Sequence, residues 1–328
     1  MKHLEQKIFE IQSEQDFNQC ALEVFHLQAV ENPVYRNYLK HLGVKHARIE
    51  SIESIPFLPI DFFKEHRVIS GSREPELVFE SSGTTGLQNS RHYISSEKLY
   101  QRSFKTTFHA QVGNPEELCI LALLPSYLER GNSSLVYMMD HLISLSKHKD
   151  SGFYLDELDS IAEILHKRNS DAFPTLLLGV SFALLDLAEQ FPQQLKESIR
   201  IMETGGMKGR RKEIVREELH SIFKISFGTR QIWSEYGMTE LLSQAYSKGG
   251  EHFRPPDWMK VFTRDIYDPI SILPAEKRGA INVIDLANLY SCSFIATSDL
   301  GIVFENGEFG ISGRMDQSEI RGCNLLLG

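Results

Sequence analysis

The sequence predicts an α/β protein with mostly parallel sheets and packed helices, followed by a smaller C-terminal β region. Three observations carry that expectation. Short apolar runs, Leu118 to Pro125 and Thr175-Leu176-Leu177-Leu178-Gly179, alternate with longer stretches of helical periodicity; this is the pattern of βαβ units whose strands are covered on both faces. Glycine-rich turns follow predicted strands at Ser81 to Gly86 and at Gly205-Gly206, on the side where open α/β sheets take their ligands. From Arg254 onward helical periodicity gives way to short strand-like runs.

Taken in order, Leu4, Ile8, Ile11, Phe17, Cys20, Leu22, Val24, Phe25 and Leu27 recur at helical spacing, and Asn32-Pro33 interrupts the pattern before Val34-Tyr35 resumes it. This is an amphipathic helical lead-in. Pro56 and Pro59 make Ile52 to Ile60 extended, and Asp61-Phe62-Phe63-Lys64 starts a short helical turn. Leu77-Val78-Phe79 is a strand, and Ser96 caps a helix that runs through Tyr100, Phe104 and Phe108. Leu118 to Pro125 is a buried strand; helices follow over 133–146 and 155–168. Thr175 to Gly179 leads into a helix from Val180 to Gln190, and the strand Arg200 to Thr204 leads through Gly205-Gly206 into a basic helix with Arg210, Arg211 and Lys212. Short strands are expected at Trp258 to Phe262, Ala280 to Leu286, Cys292 to Thr297 and Gly301 to Glu305. The expected division is an α/β core with its lead-in over 1–253, a β subdomain over 254–313 and a tail over 314–328.

Thirty-five basic against 44 acidic residues, a net charge of −9, argue against nucleic acid or an anionic membrane as the main partner. The N-terminus has no signal-peptide pattern and no apolar stretch is long enough for a membrane span, so a cytoplasmic protein is expected. Cys20, Cys119, Cys292 and Cys323 are too widely spread for a zinc motif. The first three sit in apolar patterns and are expected in the core; Cys323 lies in the glycine-flanked tail.

Two stretches carry chemistry. In Phe79 to Leu87, Ser81, Ser82, Thr84 and Thr85 offer hydroxyl donors, while Gly83 and Gly86 let the backbone approach a ligand closely, a combination suited to phosphate. It is not a Walker loop, because Leu87 and no lysine follows Gly86. In Ser234 to Glu240, an aromatic face at Tyr236 suits a purine, the hydroxyl of Thr239 suits an oxyanion, and the carboxylate of Glu240 suits a hard cation bridging phosphates.

Ser81-Ser82-Gly83-Thr84-Thr85-Gly86 resembles the phosphate loop of the adenylate-forming enzymes, the superfamily of acyl-CoA synthetases, luciferases and peptide-synthetase adenylation domains. Tyr236-Gly237-Met238-Thr239-Glu240, Thr297-Ser298-Asp299-Leu300-Gly301 and Gly313-Arg314-Met315-Asp316 resemble three further signatures of that superfamily, in the expected order. Within it, the Ile55 to Lys64 stretch and Arg321-Gly322-Cys323 look most like the acyl-protein synthetase of bacterial fatty-acid reductase, the LuxE family.

The resemblance implies the adenylate-forming large-domain fold, ATP and Mg²⁺ as cofactors, and a carboxylic acid, in this family a fatty acid, as substrate. It implies phosphate contacts from Ser81 to Gly86, an adenine lining by Gly205 and Gly206, and Tyr236 stacked on the base with Gly237 beside it. Thr239 would bond the α-phosphate and substrate carboxylate, Glu240 hold Mg²⁺, Asp299 accept the ribose hydroxyls, and Arg314 add a ribose or phosphate contact. The acyl group would pass to Cys323 as a thioester and on to an acyl reductase partner. Two departures stand out. The usual Pro-Lys after the loop is replaced by Leu87-Gln88-Asn89-Ser90-Arg91. The mobile C-terminal domain with its catalytic lysine is expected to be absent, which leaves Lys208 or Arg91 to supply the cation for adenylation. A ligase feeding CoA or a separate carrier, and a non-catalytic nucleotide-binding subunit, remain open.

Overall fold

The computed structural model describes residues 1–81, 89–125, 132–205 and 214–315. The expectations for Ser82, Gly83, Thr84, Thr85, Gly86, Gly206, Lys208 and Cys323, and for a helix at Arg210 to Lys212, lie outside the described residues.

The lead-in forms α1 (Lys2–Lys7), α2 (Glu14–Glu31) and α3 (Pro33–His41). Asn32 ends α2 and caps α3 by accepting the Tyr35 N–H, and Pro33 occupies the first helical position, where a missing N–H costs nothing. Next come β1 (Leu58–Pro59), α4 (Phe62–Glu65), β2 (Leu77–Glu80), β3 (Arg91–Ile94) and α5 (Glu97–Gln111). The alternating segment comprises β4 (Cys119–Leu123), α6 (Ser134–Leu145), β5 (Gly152–Tyr154), α7 (Leu158–Asp171), β6 (Thr175–Val180) and α8 (Ser181–Gln190). It continues through β7 (Ile199–Thr204), α9 (Arg216–Phe227), β8 (Trp233–Tyr236) and β9 (Ala245–Ser247). The chain then forms β10 (Met259–Arg264), β11 (Arg278–Asp285), β12 (Phe294–Val303) and β13 (Phe309–Arg314).

Contacts divide the chain into two compact units: Met1–Ser103 with Met238–Ser243 and Arg254–Gly328, and Phe104–Gly237 with Gln244–Phe253. This differs from a division made along the chain at 253 and 313. In the contact division the lead-in falls with the C-terminal strands. β1 pairs in parallel with β12, Leu58 against Ile295. The buried Gln28 amide donates to the carbonyls of Asn288 and Leu289 and accepts the Ser293 N–H. Composition cannot reveal such a closure, because its partners lie more than two hundred residues apart.

In the first unit the sheet order is β1-β12-β11-β10, with β13 also on β12, and β2–β3 is a separate antiparallel hairpin. Phe25, Tyr35 and Phe57 pack on Phe294 at centroid distances of 5.8, 6.1 and 6.4 Å. The two strands expected at 292–297 and 301–305 are one continuous β12. Gly301 interrupts the strand signal because it sits at an irregularity opposite β13, where a Cβ would lie 2.1 Å from the Gly310 carbonyl oxygen.

The second unit is a six-stranded sheet of order β5-β4-β6-β7-β8-β9, parallel except for β9. β4 and β6 are buried along their whole length, as their unbroken apolar runs require. The strand order reverses between them, the position at which doubly wound sheets open a crevice beyond their carboxyl ends. Cys20, Cys119 and Cys292 are buried, and burial pushes their thiols up to about 11, 11 and 12, so they are inert core residues. Among the described residues no helix is long and apolar enough to cross a membrane.

Candidate functional site

In the first unit the candidate residues are held by the β2–β3 hairpin, the β12–β13 pair and the 238–243 segment. The hairpin register sets Glu80 opposite Arg91 and Phe79 opposite His92. At its neck the Ser81 N–H donates to the Ser90 carbonyl at 3.0 Å, and the Ser90 N–H donates to the Ser81 hydroxyl oxygen at 2.9 Å. Ser81, expected as a phosphate donor, thus also closes the base of the loop. Arg91 makes an ion pair of 3.0 Å with Glu80 on the exposed side of the hairpin, so its charge is already met by a carboxylate.

Strand alternation turns the next side chain inward. His92 is fully buried, with its ring edge-on to Phe63 at 5.5 Å, and its Nδ1 lies 2.8 Å from the Thr239 carbonyl oxygen. An acceptor at that distance assigns the proton to Nδ1. Burial lowers the imidazole to about 4, so it is neutral at neutral pH.

Glu240 is 4 % exposed, and its carbonyl accepts from the Asn288 amide at 2.8 Å. Burial raises its carboxyl, opposed by a hydrogen bond from Ser90 and by the charge of Arg314, while Asp299 adds to the rise. Asp299 is buried on β12; its N–H donates to the Thr297 hydroxyl at 3.1 Å and its Oδ1 accepts from Arg314 Nε at 3.0 Å. The pairing is dictated by register, since Asp299 and Arg314 face each other across β12 and β13. Arg314 keeps 78 % of its side chain exposed.

Asp285, fully buried, anchors the 238–243 segment from beneath. Its Oδ2 accepts the N–H groups of Leu242 and Ser243, both at 2.9 Å, and its Oδ1 accepts the Ser243 hydroxyl at 2.6 Å and the Ala287 N–H at 3.1 Å. Trp258 donates to the same Ser243 hydroxyl at 2.8 Å. His92, Asn288 and Asp285 thereby hold successive parts of the segment that carries Thr239 and Glu240. None of the three was singled out from sequence; the one available signal was the inward register of His92 beside Tyr93-Ile94.

In the second unit Gly205 follows β7 with φ +70°, a conformation that favours glycine, and its carbonyl accepts the Ser181 hydroxyl at 3.0 Å. Tyr236 ends the neighbouring strand β8, buried, with its ring 5.8 Å from Phe253. The Arg216 guanidinium lies 4.4 Å over Phe253 and 3.3 Å from Glu203 Oε1. Glu203 also accepts the hydroxyls of Ser181 and Ser234, at 3.2 and 2.9 Å. Beside it Glu235 accepts the Thr204 hydroxyl; burial, with repulsion from Glu203, pushes its carboxyl up to about 7. At Gly237 a Cβ would lie 2.3 Å from Glu235 Oε1, so a larger residue there would displace that carboxyl group.

The structure thus gathers Thr239, Glu240, Asp299 and Arg314 with Ser81 and Arg91 in one unit, and Gly205, Tyr236 and Gly237 in the other. Among the described residues no group of three or more His, Cys, Asp or Glu side chains is arranged to hold a metal. Burial disfavours the charge of the Glu240 carboxylate, a cost that a hard cation beside it would relieve.

Comparison with solved structures identifies the architecture. ATP-bound MatB from Rhodopseudomonas palustris matches with a TM-score of 0.55 and 18% identity over 72% of this chain and 47% of that one. An ATP-bound RpMatB-BxBclM chimera matches with a TM-score of 0.54 and 19% identity, over 74% of this chain and 49% of the chimera. The 2-hydroxyisobutyryl-CoA ligase, in complex with 2-HIB-AMP and CoA, matches with a TM-score of 0.67 and 13% identity over 94% of this chain and 70% of its own. The chain spans about half the length of the MatB proteins it matches. No protein-family model matches the sequence, and no curated protein matches it by sequence. At such identities the likeness is one of fold: the chain has the large-domain fold of the adenylate-forming enzymes.

Proposed function

We propose that the protein activates a carboxylic acid with ATP and passes the acyl group to a thiol. A carboxylate oxygen attacks the α-phosphorus of ATP, the bond to the bridging oxygen breaks, and pyrophosphate leaves with its electron pair. Catalysis of such a step is positioning and charge stabilisation rather than covalent chemistry. Ser81 to Gly86 supply phosphate contacts, Thr239 contacts the α-phosphate and the carboxylate, and Glu240 would hold a magnesium ion that neutralises phosphate charge. Asp299 and Arg314 serve the ribose; Gly205, Gly206, Tyr236 and Gly237 serve the base. Because Arg91 is paired with Glu80, Lys208 is the stronger candidate for the adenylation cation. The observation that carries this reading is the buried Asp299 facing Arg314 beside the buried Glu240, in a fold shared with ATP-bound MatB and with a CoA ligase crystallised with 2-HIB-AMP.

The finer reading is an acyl-protein synthetase: the Cys323 thiolate attacks the acyl carbonyl carbon, AMP leaves, and the thioester is delivered to an acyl reductase in the cytoplasm, with a fatty acid as substrate. ATP–pyrophosphate exchange across a panel of carboxylic acids tests the first step. Asp299→Ala and Glu240→Gln should each lower it by roughly 10²-fold or more, whereas a wild-type protein that binds ATP yet exchanges with no acid would point to a non-catalytic nucleotide subunit. Intact mass after incubation with ATP and mixed fatty acids tests the second. A Cys323→Ser protein that still acquires the acyl mass would rule out the self-thioester and favour transfer to CoA or a carrier.

A further inference from the structure

We propose that His92, Ser95 and Asn288 form a buried binding site for one water molecule, and that this water fixes the two side chains that position Thr239 and Glu240. The inference rests on the roles proposed above for those two residues. Its geometry is local to the first unit. His92, Ser95, Leu242, Ala287, Asn288 and Ser291 are among the residues lining a small cavity that leaves about 10 Å³ for the centre of a water, space for a single molecule. His92, Ser95 and Asn288 are 0, 2 and 1 % exposed. His92 Nε2, Ser95 Oγ and Asn288 Oδ1 are buried polar atoms with no hydrogen-bond partner among the described residues. Buried polar atoms are rarely left this way.

The chemistry of the three atoms is complementary to water. His92 Nδ1 carries the proton that bonds the Thr239 carbonyl, so Nε2 is a bare acceptor. The Asn288 amide nitrogen donates to the carbonyls of Glu240 and Cys292, at 2.8 and 3.2 Å, so Oδ1 is an acceptor as well. The Ser95 hydroxyl can donate. One water gives its two hydrogens to His92 and Asn288 and accepts the third from Ser95, satisfying all three atoms. His92 and Asn288 grip consecutive carbonyls, those of Thr239 and Glu240, with their outer atoms, and their inner atoms meet the water. Imidazole and amide are then held at both ends, which fixes the peptide between the hydroxyl and the carboxylate assigned to catalysis.

The test has two independent readouts. A high-resolution crystal structure of the full chain should show one ordered water within hydrogen-bonding distance of His92 Nε2, Ser95 Oγ and Asn288 Oδ1. A cavity closed by side chains, or a peak with the short contacts of a metal cation, would overturn the site. Ser95→Ala removes a water ligand without touching either carbonyl clamp. In ATP–pyrophosphate exchange it should lower kcat roughly three- to tenfold with the KM for ATP little changed, and Ser95→Thr should restore kcat, because displacing reacting groups by a fraction of an ångström costs rate rather than affinity. His92→Asn keeps a donor toward Thr239 but cannot reach the water, and should share that phenotype. An unchanged kcat in Ser95→Ala with the water gone would refute the positioning role. An ordered water in a wild-type protein without exchange would keep the site and overturn the reading of function instead.

Discussion

Replacing Asp285 with asparagine should destabilise the first unit by several kcal/mol although the side chain hardly changes shape. Burial pushes this carboxyl up to about 6, still below neutral pH, so it faces its neighbours as a carboxylate. It accepts four bonds: two N–H groups on one oxygen, and a hydroxyl and an N–H on the other. An asparagine must turn an NH₂ toward one of these pairs. The milder orientation places it at Oδ1, where the Ser243 hydroxyl can rotate but the Ala287 N–H cannot. One buried donor left without an acceptor costs about 1–3 kcal/mol, and the loss of ionic character from the remaining bonds about 1–2 kcal/mol more. The sum, about 2–5 kcal/mol, is a large part of the 5–15 kcal/mol of a typical domain. Asp285→Ala orphans all the donors and should cost at least as much. Urea unfolding followed by tryptophan fluorescence should show a lower midpoint at unchanged slope, with Trp258 as a local reporter because it bonds Ser243. A shift worth less than about 1 kcal/mol in both variants would mean that the carboxylate does not anchor the 238–243 segment.

Glu235 predicts a pH dependence. Its folded value, about 7, lies above the usual 4.5, so the folded state retains the proton longer than the unfolded chain; its contribution is complete below about pH 4.5 and is lost as pH rises towards 7. Glu235→Gln should therefore gain up to about 3 kcal/mol over wild type near pH 8 and nothing near pH 4, and an equal effect at both would refute the assignment. Gly301→Ala places a methyl 2.1 Å from the Gly310 carbonyl, and backbone must move; a loss of about 2–3 kcal/mol in thermal unfolding is expected, and an unchanged melting temperature would contradict the β12–β13 register. Arg91→Ala removes a partly exposed ion pair and should change stability by less than about 1 kcal/mol, so a large fall in pyrophosphate exchange in that variant would report on chemistry rather than folding.

Much of the architecture was written locally. Unbroken apolar runs at Cys119–Leu123 and Thr175–Val180 made buried parallel strands, and Asn32-Pro33 separated two helices through a cap and a first-turn proline. A local rule reads such features because a strand covered on both faces, or a helix terminus, is defined by its own residues. Thr239, Glu240, Asp299 and Arg314 were named through the resemblance of their motifs to those of a known superfamily. What surrounds them did not show. Gly301 split the signal of a single strand because its requirement comes from the carbonyl of Gly310 on the next strand.

The same reason separates the rest. Hydrophobic period and turn chemistry state which face of an element is covered, and for this chain that was enough to specify the fold class. They do not state by what. The closing of the lead-in on the C-terminal strands through Gln28, the Asp299–Arg314 facing pair, and the grip of His92, Asn288 and Asp285 on the 238–243 segment each join residues far apart in the chain. A buried polar side chain is tolerated only where a partner meets it, and which partner meets it is decided when the chain has folded.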